Sequence, residues 1–219
     1  MSPRNPAPTR AAIVFAAGVL LEQGGLEAVT LRSVGAASGV SRSAPYRHFD
    51  DKSDLLGALA HRMLTDLSAH MRQAAERDDQ QTRLHRGCVA YLRYALEWPH
   101  HYQLIFGDTP MPQPPSEIES AADDGMLALR ELVEDAQARA ELVAGPPREL
   151  ATIIWVLLHG LAHLQITGHL HEPRTIDGDT RLEDLLAVAL TALRPTKTVL
   201  TAGKARRSGR GDRAGGSSR

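Results

Sequence analysis

The chain has 219 residues, 42% of them hydrophobic and 23% charged, and its formal net charge is −1. Seven of the 25 basic residues but only one of the 26 acidic residues follow Pro195, so the first 194 residues carry a net charge of −7. This composition is that of a globular protein long enough for one large or two modest domains. A body this acidic repels DNA except at a local basic patch.

The cysteine content and the hydropathy pattern exclude two further classes of protein. The single cysteine, Cys88, excludes an internal disulfide framework and fits a reducing compartment. It is predicted to be a small core residue rather than a redox or metal-binding thiol. The apolar run Ala11–Leu21 is too short to span a bilayer, and no small-x-small cleavage site follows it. We therefore expect a cytoplasmic protein without membrane association, in which this run forms the first buried helix.

The N-terminal residues predict a short arm and a first helix. Residues 1–8 contain three prolines and are expected to be a disordered arm. The first helix is predicted from Thr9 to Gln23, where the pair Gly24-Gly25 ends it. The chain shows no evident β-type alternation, so the sequence predicts an all-α fold.

The stretch Thr30–Lys52 has the pattern of a helix, a tight turn and a second short helix. Thr30 is suited to cap the first of these helices, and Gly39 supplies the turn. The second helix is predicted at about Arg42 to His48. This pattern is typical of a helix-turn-helix, whose second helix enters the major groove of DNA.

The side chains of this second helix divide into anchors and an outward-facing basic set. Tyr46 and Phe49 are predicted to anchor the helix while the other side chains point outward. Between Thr30 and Phe49 there is no Asp or Glu, and the basic residues are Arg32, Arg42, Arg47 and His48. Such an acid-free basic stretch favours phosphate contacts over a merely solvated face.

Five short motifs follow one another between Ile13 and about Ala60. They are an Ile-x-x-x-Ala helix ending near Gly24, Thr30-Leu31-Arg32, Gly39-Val40-Ser41, Tyr46-Arg47-His48-Phe49, and Lys52 with Leu55-Leu56. In this order they resemble the DNA-binding domain of the TetR family of bacterial transcriptional repressors. The resemblance implies a three-helix helix-turn-helix domain over residues 9–52 and an all-α protein that binds operator DNA.

The same resemblance implies which side chains meet the DNA. Arg42 and Ser43 would face base edges, because arginine donates in a bidentate fork to guanine. Hydroxyls, histidine and lysine suit phosphate oxygens. The full predicted set is Thr30, Arg32, Ser41, Arg42, Ser43, Tyr46, Arg47, His48 and Lys52.

Three positions depart from the commonest pattern of the family. Gly35 and Ser38 stand where alanines are usual, and Pro45 lies in the recognition helix. A glycine inside a helix costs about 1 kcal/mol relative to alanine, so the first helix must depend on packing. Proline is tolerated only in the first turn of a helix, so we expect the recognition helix to begin at about Arg42 or Ser43.

A long connecting helix is predicted next, over residues 53–80. The segment Asp51-Lys52-Ser53-Asp54 resembles a capping box, and an apolar stripe follows at helical spacing, formed by Leu55, Leu59, Met63, Leu67 and Met71. The helix starts at the DNA-binding unit and ends in the body of the protein, so it is predicted to act as a lever between them.

Residues 81–194 are predicted to form a helical domain for ligand binding and dimerisation. Helices are expected at about 82–97, 116–143, 148–169 and 181–193, with a short aromatic segment at 100–106 and a proline-rich loop at 107–115. The helix at 148–169 is apolar nearly all round and is expected to be buried on several sides. Residues 195–219, rich in Gly, Ser and Arg, are expected to be a disordered basic tail.

A second resemblance lies in the helix at 148–169. Trp155, His159 and Gly160 stand in the spacing Trp-x-x-x-His-Gly, which resembles a C-terminal domain of some TetR-type regulators that is named for these three residues. The family implies a small-molecule pocket between the fifth and eighth helices, for an apolar or aromatic ligand. Its predicted lining is Tyr91, Tyr94, Trp98, Tyr102, Phe106, Met126, Leu129, Trp155 and His159, although each of these also suits an ordinary core.

Two histidines one helical turn apart leave a competing interpretation open. His159 and His163 have the spacing that can hold Zn²⁺, which would suit a metal-binding helical-bundle protein or enzyme. They lack a clear carboxylate or thiol partner, so a packed or hydrogen-bonded histidine is favoured and no metal is expected. No Ser-His-Asp order, phosphate-binding glycine loop or paired-carboxylate motif stands out, so we expect neither enzyme activity nor a cofactor.

Together these observations predict a homodimeric repressor that binds a palindromic operator and is released by a small molecule. A single recognition helix reads too few bases for a genomic site, whereas two half-sites supply the missing discrimination. The apolar helices at 148–169 and 181–193 are the predicted dimer interface. An activator, or a regulator without a ligand, has the same sequence features.

Overall fold

The computed structural model describes residues 6–78, 80–107, 116–171 and 181–195. Within them the chain is helical and has no strand, as the sequence predicts. The helices are α1 Pro6–Ala28, α2 Leu31–Ala37, α3 Pro45–His48, α4 Lys52–Ala75, α5 Arg83–Glu97, α6 Pro99–Phe106, α7 Ser116–Ala138, α8 Pro147–Ile166 and α9 Leu182–Ala192. Most of the predicted arm, loop and basic tail lie outside the described residues.

Two hydrophobic cores divide the fold, and α4 contributes to both. The first core joins α1, α2 and the start of α4 and is centred on Ile13, Val34 and Leu55, which are fully buried. The second core joins the end of α4 to α5, α7, α8 and α9. Since α4 enters one core with Leu59 and the other with Met71, it connects the two units physically, as its position in the sequence predicts.

The first helix differs from the prediction at its start and agrees with it at the glycine pair. Its backbone begins at Pro6, so part of the expected arm is helical. The helical dihedrals break at Gly24 and Gly25, where Gly25 has φ 64°, and a short helical segment then continues to Ala28. A left-handed φ suits glycine, because it has no Cβ to clash with the following carbonyl. The glycine pair therefore ends the first helix at the predicted place, and a second short helical segment follows it.

The expectation that the eighth helix is buried on several sides is wrong. Leu150, Ile154 and Leu158 are buried on one face, but Ile153 and Val156 on the opposite face are 56% and 57% exposed. The buried face packs on α5 and α7, and within the described residues no helix covers the other. By length and hydropathy, α8 and α1 are each apolar enough to cross a membrane. In α1, residues such as Ile13 are buried in the first core, but only 33% of the apolar window Thr9–Ala28 is buried.

Candidate DNA interface and ligand site

A reciprocal cap opens the helix-turn-helix. Thr30 Oγ1 accepts from Ser33 N at 3.0 Å, and Ser33 Oγ accepts from Thr30 N at 2.9 Å. The predicted capping role of Thr30 is thereby confirmed, because the cap satisfies N–H groups that a helix start leaves unpaired. Behind the cap, α2 buries Val34 and Gly35.

The recognition helix begins later than predicted, at Pro45 instead of Arg42 or Ser43. Gly39 makes the turn with φ 69°, and a further turn follows in which Ala44 N donates to Ser41 O at 2.8 Å. Pro45 then occupies the first helical position, where the missing N–H removes no hydrogen bond. Arg42 and Ser43 consequently lie in the turn that leads into α3.

The anchors of α3 also differ from the prediction. Phe49 is 2% exposed and Ala44 is 1% exposed, whereas Tyr46 is 60% exposed. Pro45 and Phe49 are four residues apart and therefore share the inward side of the turn, which places Tyr46 outside. Tyr46 is wrong as an anchor, but its exposure leaves the hydroxyl accessible.

The predicted DNA-contact set is largely exposed on one continuous segment. Seven of the nine side chains are exposed: Thr30, Arg32, Ser41, Arg42, Ser43, Tyr46 and Arg47. His48 and Lys52 are partly buried, and Lys52 Nζ donates to Leu26 O at 2.6 Å, tying the start of α4 to the end of α1. Lys52 would have to exchange this bond for a phosphate contact.

Arg10 is a basic residue that lies beside this segment. The sequence alone gives little indication of a role for it. It lies in α1, is exposed, and holds its guanidinium carbon 5.2 Å from the centroid of the Phe49 ring. A cation over an aromatic face is held by the ring quadrupole while its N–H groups stay available. The fold therefore brings a basic side chain of α1 to the end of α3.

Among the helices of the second core, four aromatic side chains contact the His159 ring: Tyr91, Tyr102, Phe106 and Trp155. A hydrogen bond of 2.7 Å joins Tyr102 OH to His159 Nδ1, and one of 3.1 Å joins Tyr91 OH to Nε2. Trp155 and Phe106 pack edge-on against the imidazole, with ring centroids 4.4 and 4.3 Å away. We call these five residues the His159 cluster.

Burial controls the charge of the His159 cluster. Burial, with a contribution from His163, lowers the pKa of His159 to about 4, so the imidazole is neutral near pH 7. A neutral imidazole has one donor and one acceptor nitrogen, so one tyrosine hydroxyl accepts and the other donates. Burial also raises the pKa of the Tyr91 and Tyr102 hydroxyls. The cluster is thus an uncharged hydrogen-bonded group, consistent with the predicted packed role of His159.

The nine predicted pocket residues do not line one cavity. Five of them form the His159 cluster, and Leu129 is buried in the second core with Met126 partly buried on α7. Tyr94 and Trp98 instead line a groove of about 730 Å³ between α1, α4, α5 and the start of α6. The division follows from α5, since Tyr91 faces α8 while Tyr94 and Trp98 face α4 and α1.

The α1 wall of this groove is the part of the site that sequence reasoning missed. Phe15 and Val19 line it and are 60% and 39% exposed, although the sequence places both in an apolar run expected to be buried. That run is apolar around its whole circumference, and one core can cover only part of a helix. In the sequence, the apolar residues of this run therefore indicate that some of its side chains remain exposed.

The groove and the His159 cluster meet at α6. His101 N donates to Glu22 Oε1 at 2.8 Å, and a bond of 3.2 Å joins His101 Nε2 to Gly18 O, which ties α6 to α1. The next residue, Tyr102, faces α8 and bonds to His159. Adjacent residues of α6 therefore link α1 to the His159 cluster.

A metal site at the paired histidines has little geometric support. Both ring nitrogens of His159 bond to tyrosine hydroxyls. In the part of the chain that the structure describes, no three or more His, Cys, Asp or Glu side chains are grouped as metal ligands would be.

Two family models match the chain. Residues 13–59 match the family described as "Bacterial regulatory proteins, tetR family", and residues 84–189 match "Tetracyclin repressor-like, C-terminal domain". The first range contains α2, α3 and the start of α4, and the second contains the groove residues of α5 and the Trp155, His159 and Gly160 motif. No curated protein is significantly similar in sequence.

Solved structures share the fold over nearly their whole length. A protein of unknown function from Rhodococcus sp. RHA1 is 25% identical with a TM-score of 0.71, over 88% of this chain and 97% of that one. A TetR-family transcriptional regulator from Pectobacterium atrosepticum is 19% identical with a TM-score of 0.66, over 90% and 99%. A TetR-family transcription regulator from Marinobacter aquaeolei VT8 is 19% identical with a TM-score of 0.58, over 87% and 97%.

Proposed function

We propose a specific role for this chain, which belongs to the TetR family of bacterial transcriptional regulators. In this proposal the protein is a repressor, and a small molecule releases it from its operator. The observation that carries the proposal is the exposed segment from Thr30 to Arg47, basic and free of carboxylates, on a capped helix-turn-helix. The first 194 residues carry a net charge of −7, which repels DNA. DNA can therefore approach at this basic segment.

In the proposed complex, the turn before α3 and α3 itself enter the major groove. Arg42 and Ser43, exposed in that turn, read base edges, and Tyr46 and Thr30 bond to phosphates on either side. A four-residue α3 presents few side chains, so one copy distinguishes few base pairs. Two copies on a palindromic operator, with half-sites about one helical turn apart, supply the specificity.

The homodimer forms through the uncovered faces of α8 and α9, within the segments 148–169 and 181–193. Ile153 and Val156 of α8 and Val188 of α9 are between 56% and 62% exposed. Large apolar side chains grouped on one surface are unfavourable in water and typical of an interface. Two copies related by a two-fold axis would bury these faces as a four-helix bundle.

Release requires a ligand with higher affinity for the conformation that cannot bind DNA than for the conformation that binds DNA. In this proposal α4 transmits the change, because it packs in both hydrophobic cores. A small rotation of α4 alters the separation of the two recognition helices in the dimer. The ligand is a small apolar or aromatic molecule.

TetR-family regulators are soluble proteins that generally act in the cytoplasm, and we place this chain there without a membrane partner.

The competing interpretation is a metal-binding helical bundle. It requires His159 to exchange one of its tyrosine hydrogen bonds for a bond to a metal ion. Equimolar Zn²⁺ or iron in purified protein, lost when both His159 and His163 are replaced by alanine, would favour it.

Selection of genomic DNA fragments bound by the purified protein, repeated at several salt concentrations, tests the proposal. We expect enrichment of one palindromic sequence whose affinity falls as salt rises, because phosphate contacts release counterions. Transcription from a promoter carrying that sequence should fall when the protein is supplied. Binding without sequence preference, or increased transcription, would contradict a specific repressor.

A further inference from the structure

The motif formed by Trp155, His159 and Gly160 leaves its glycine without a role inside one copy of the chain. Trp155 and His159 pack together in the His159 cluster, whereas Gly160 is exposed on α8. A glycine inside a helix destabilises it relative to alanine, because glycine loses more backbone freedom on folding. Beyond its own neighbours in the helix, a Cβ at Gly160 would meet no atom within 4 Å among the described residues. Alanine would therefore fit this position in a single copy and stabilise the helix.

Other glycines inside helices have a reason that the fold shows. A Cβ at Gly87 on α5 would lie 2.6 Å from Leu132 Cδ1, and one at Gly125 on α7 would lie 3.3 Å from Ser68 Oγ. These glycines let two helices of the same chain approach closely. Gly160 has no such neighbour in the described part of the chain, and its φ is not left-handed. The reason for this glycine therefore lies outside the fold of one copy.

Two exposed apolar side chains flank Gly160 at equal distances along α8. Val156 lies four residues before it and Leu164 four residues after it, and they are 57% and 41% exposed. Side chains four residues apart form one row along a helix surface. The sequence from Thr152 to Leu164 also contains no Asp, Glu, Lys or Arg. We call Val156, Gly160 and Leu164 the α8 row, which is uncharged and has a gap at its centre.

The α8 row is complementary to a second copy of itself. If a two-fold axis passes through Gly160 across the helix, the glycines of the two copies face each other in an antiparallel pair. Val156 of one copy then lies against Leu164 of the other, and the glycines let the two backbones approach. Packed helix axes lie about 8–10 Å apart depending on the side chains at the contact, and glycine favours the short end of this range. A partner of different sequence would not require this symmetry.

We propose that Gly160 is the crossing point of the two α8 helices in the homodimer, where a second copy of this chain packs antiparallel on the α8 row. This rests on the proposed function, which places the interface on α8 and α9, and it adds the register of the contact. It also accounts for the exposure of Val156 and Leu164 in one copy, since each is covered by the other across the axis. Interface centres are depleted of charge, as the α8 row is.

Cysteine cross-linking tests this register directly. The one native cysteine, Cys88, is fully buried, so a cysteine introduced on the α8 row is the accessible thiol. A disulfide needs Cα atoms about 4.4–6.8 Å apart, a distance expected where a residue faces its own copy at the axis. The variants G160C, V156C and L164C are oxidised with copper phenanthroline, singly and as a subunit-exchanged mixture of V156C with L164C, and separated on non-reducing gels. A122C, at an exposed α7 position, is the control.

We expect G160C to cross-link fastest of the single variants. V156C and L164C should cross-link slowly alone and rapidly when mixed, because the antiparallel pair places these two positions opposite each other. A122C should remain a single chain on the gel under the same conditions. Equal rates for the three single variants, or a mixture that cross-links no faster than either variant alone, would overturn the proposed crossing.

The size of the side chain at position 160 gives a second, independent measurement. G160A and G160L should keep their helix content by circular dichroism, because alanine and leucine favour a helix and the position is open in one copy. In the dimer the added side chains occupy the space between the two backbones. Sedimentation equilibrium should therefore show a dimer dissociation constant raised about two- to tenfold for G160A and more than about tenfold for G160L. A122L should leave this constant unchanged, and a G160L constant equal to wild type would contradict the crossing at Gly160.

The outcomes separate this inference from the proposed function. A wild-type dimer that binds its operator, together with a G160C variant that does not cross-link, rejects the crossing at Gly160 and leaves the proposed regulator intact. A monomeric wild-type protein rejects the inference together with the proposed dimer. Failure of the genomic DNA selection, with rapid cross-linking of G160C, rejects the proposed function but not the contact.

Discussion

The Pro45 ring lies against Gly35, where a Cβ would come within 3.3 Å of Pro45 Cγ and 3.0 Å of the Arg42 carbonyl oxygen. Gly35 and Pro45 each depart from the usual family sequence, and the structure shows that they occupy one contact. Glycine in α2 lets the turn before α3 approach closely. The two departures therefore act together in positioning Arg42.

Gly35→Ala should weaken operator binding while changing stability little. Alanine gains about 1 kcal/mol of helix propensity, but its methyl group must displace the backbone of Arg42. Operator titration and thermal unfolding separate the two effects. Adding Pro45→Ala removes the ring contact but not the carbonyl contact, so it should restore binding only in part. If Gly35→Ala binds the operator as tightly as the wild-type protein, the turn before α3 can accommodate the methyl group without moving Arg42.

Arg42→Ala should reduce specific operator binding by about 1–3 kcal/mol and leave the fold intact, because the side chain is exposed and reads a base edge in the proposed complex. Titration of operator and of a scrambled duplex measures the loss of discrimination. The control is Arg139→Ala, an exposed arginine in the turn after α7 that is paired with Asp135, which should leave both affinities unchanged. An Arg42 variant that discriminates as well as wild type would mean that the turn does not face the bases.

Arg10→Ala should lower the salt dependence of DNA binding. If the guanidinium over Phe49 contacts one phosphate, its loss reduces the slope of log K against log salt by about 0.9. Specific and nonspecific DNA should be affected alike, since a phosphate contact carries no base information. Arg10→Lys should keep the slope. A slope in the alanine variant equal to wild type would remove Arg10 from the interface.

Val156→Glu should convert the proposed dimer into a monomer, because it places a charge in the middle of the apolar face proposed as the interface. Sedimentation equilibrium measures the mass, and circular dichroism checks that the helices remain. Leu96→Glu is the matched control, since Leu96 is 40% exposed and belongs to α5, not to the two helices proposed as the interface. A dimeric Val156→Glu protein would place the interface elsewhere.

Stability should fall as pH decreases from about 6.5 toward 4. Burial lowers the pKa of His159 from 6.5 to about 4, so in this window the unfolded chain binds a proton that the folded chain does not. The contribution is complete above pH 6.5 and is lost as pH falls through the folded pKa. Denaturant unfolding should show a shallower pH slope for His159→Gln than for wild type. His163→Gln, at an exposed position, should keep most of the slope.

The local signals in the sequence predicted helix starts and turns well. The caps at Thr30 and Asp51 and the turn at Gly39 are where the sequence puts them. Each depends on hydrogen bonds or dihedrals spanning three or four residues, so neighbours along the chain suffice to determine it. The all-α class and the connecting role of α4 follow from apolar spacing over a longer stretch.

The start of α3, the orientation of Tyr46 and the division of the pocket residues were decided only by tertiary packing. Pro45 begins α3 because Gly35 receives its ring, and that contact joins residues on different helices. Tyr91 and Tyr94 belong to different sites because α5 is packed on two sides, and helical periodicity does not say which neighbour lies on which side. Apolar spacing alone also cannot distinguish a face buried within the chain from one left uncovered, as on α8. The sequence determined where the DNA-binding unit lies, and the assembled helices determined which side chains it exposes.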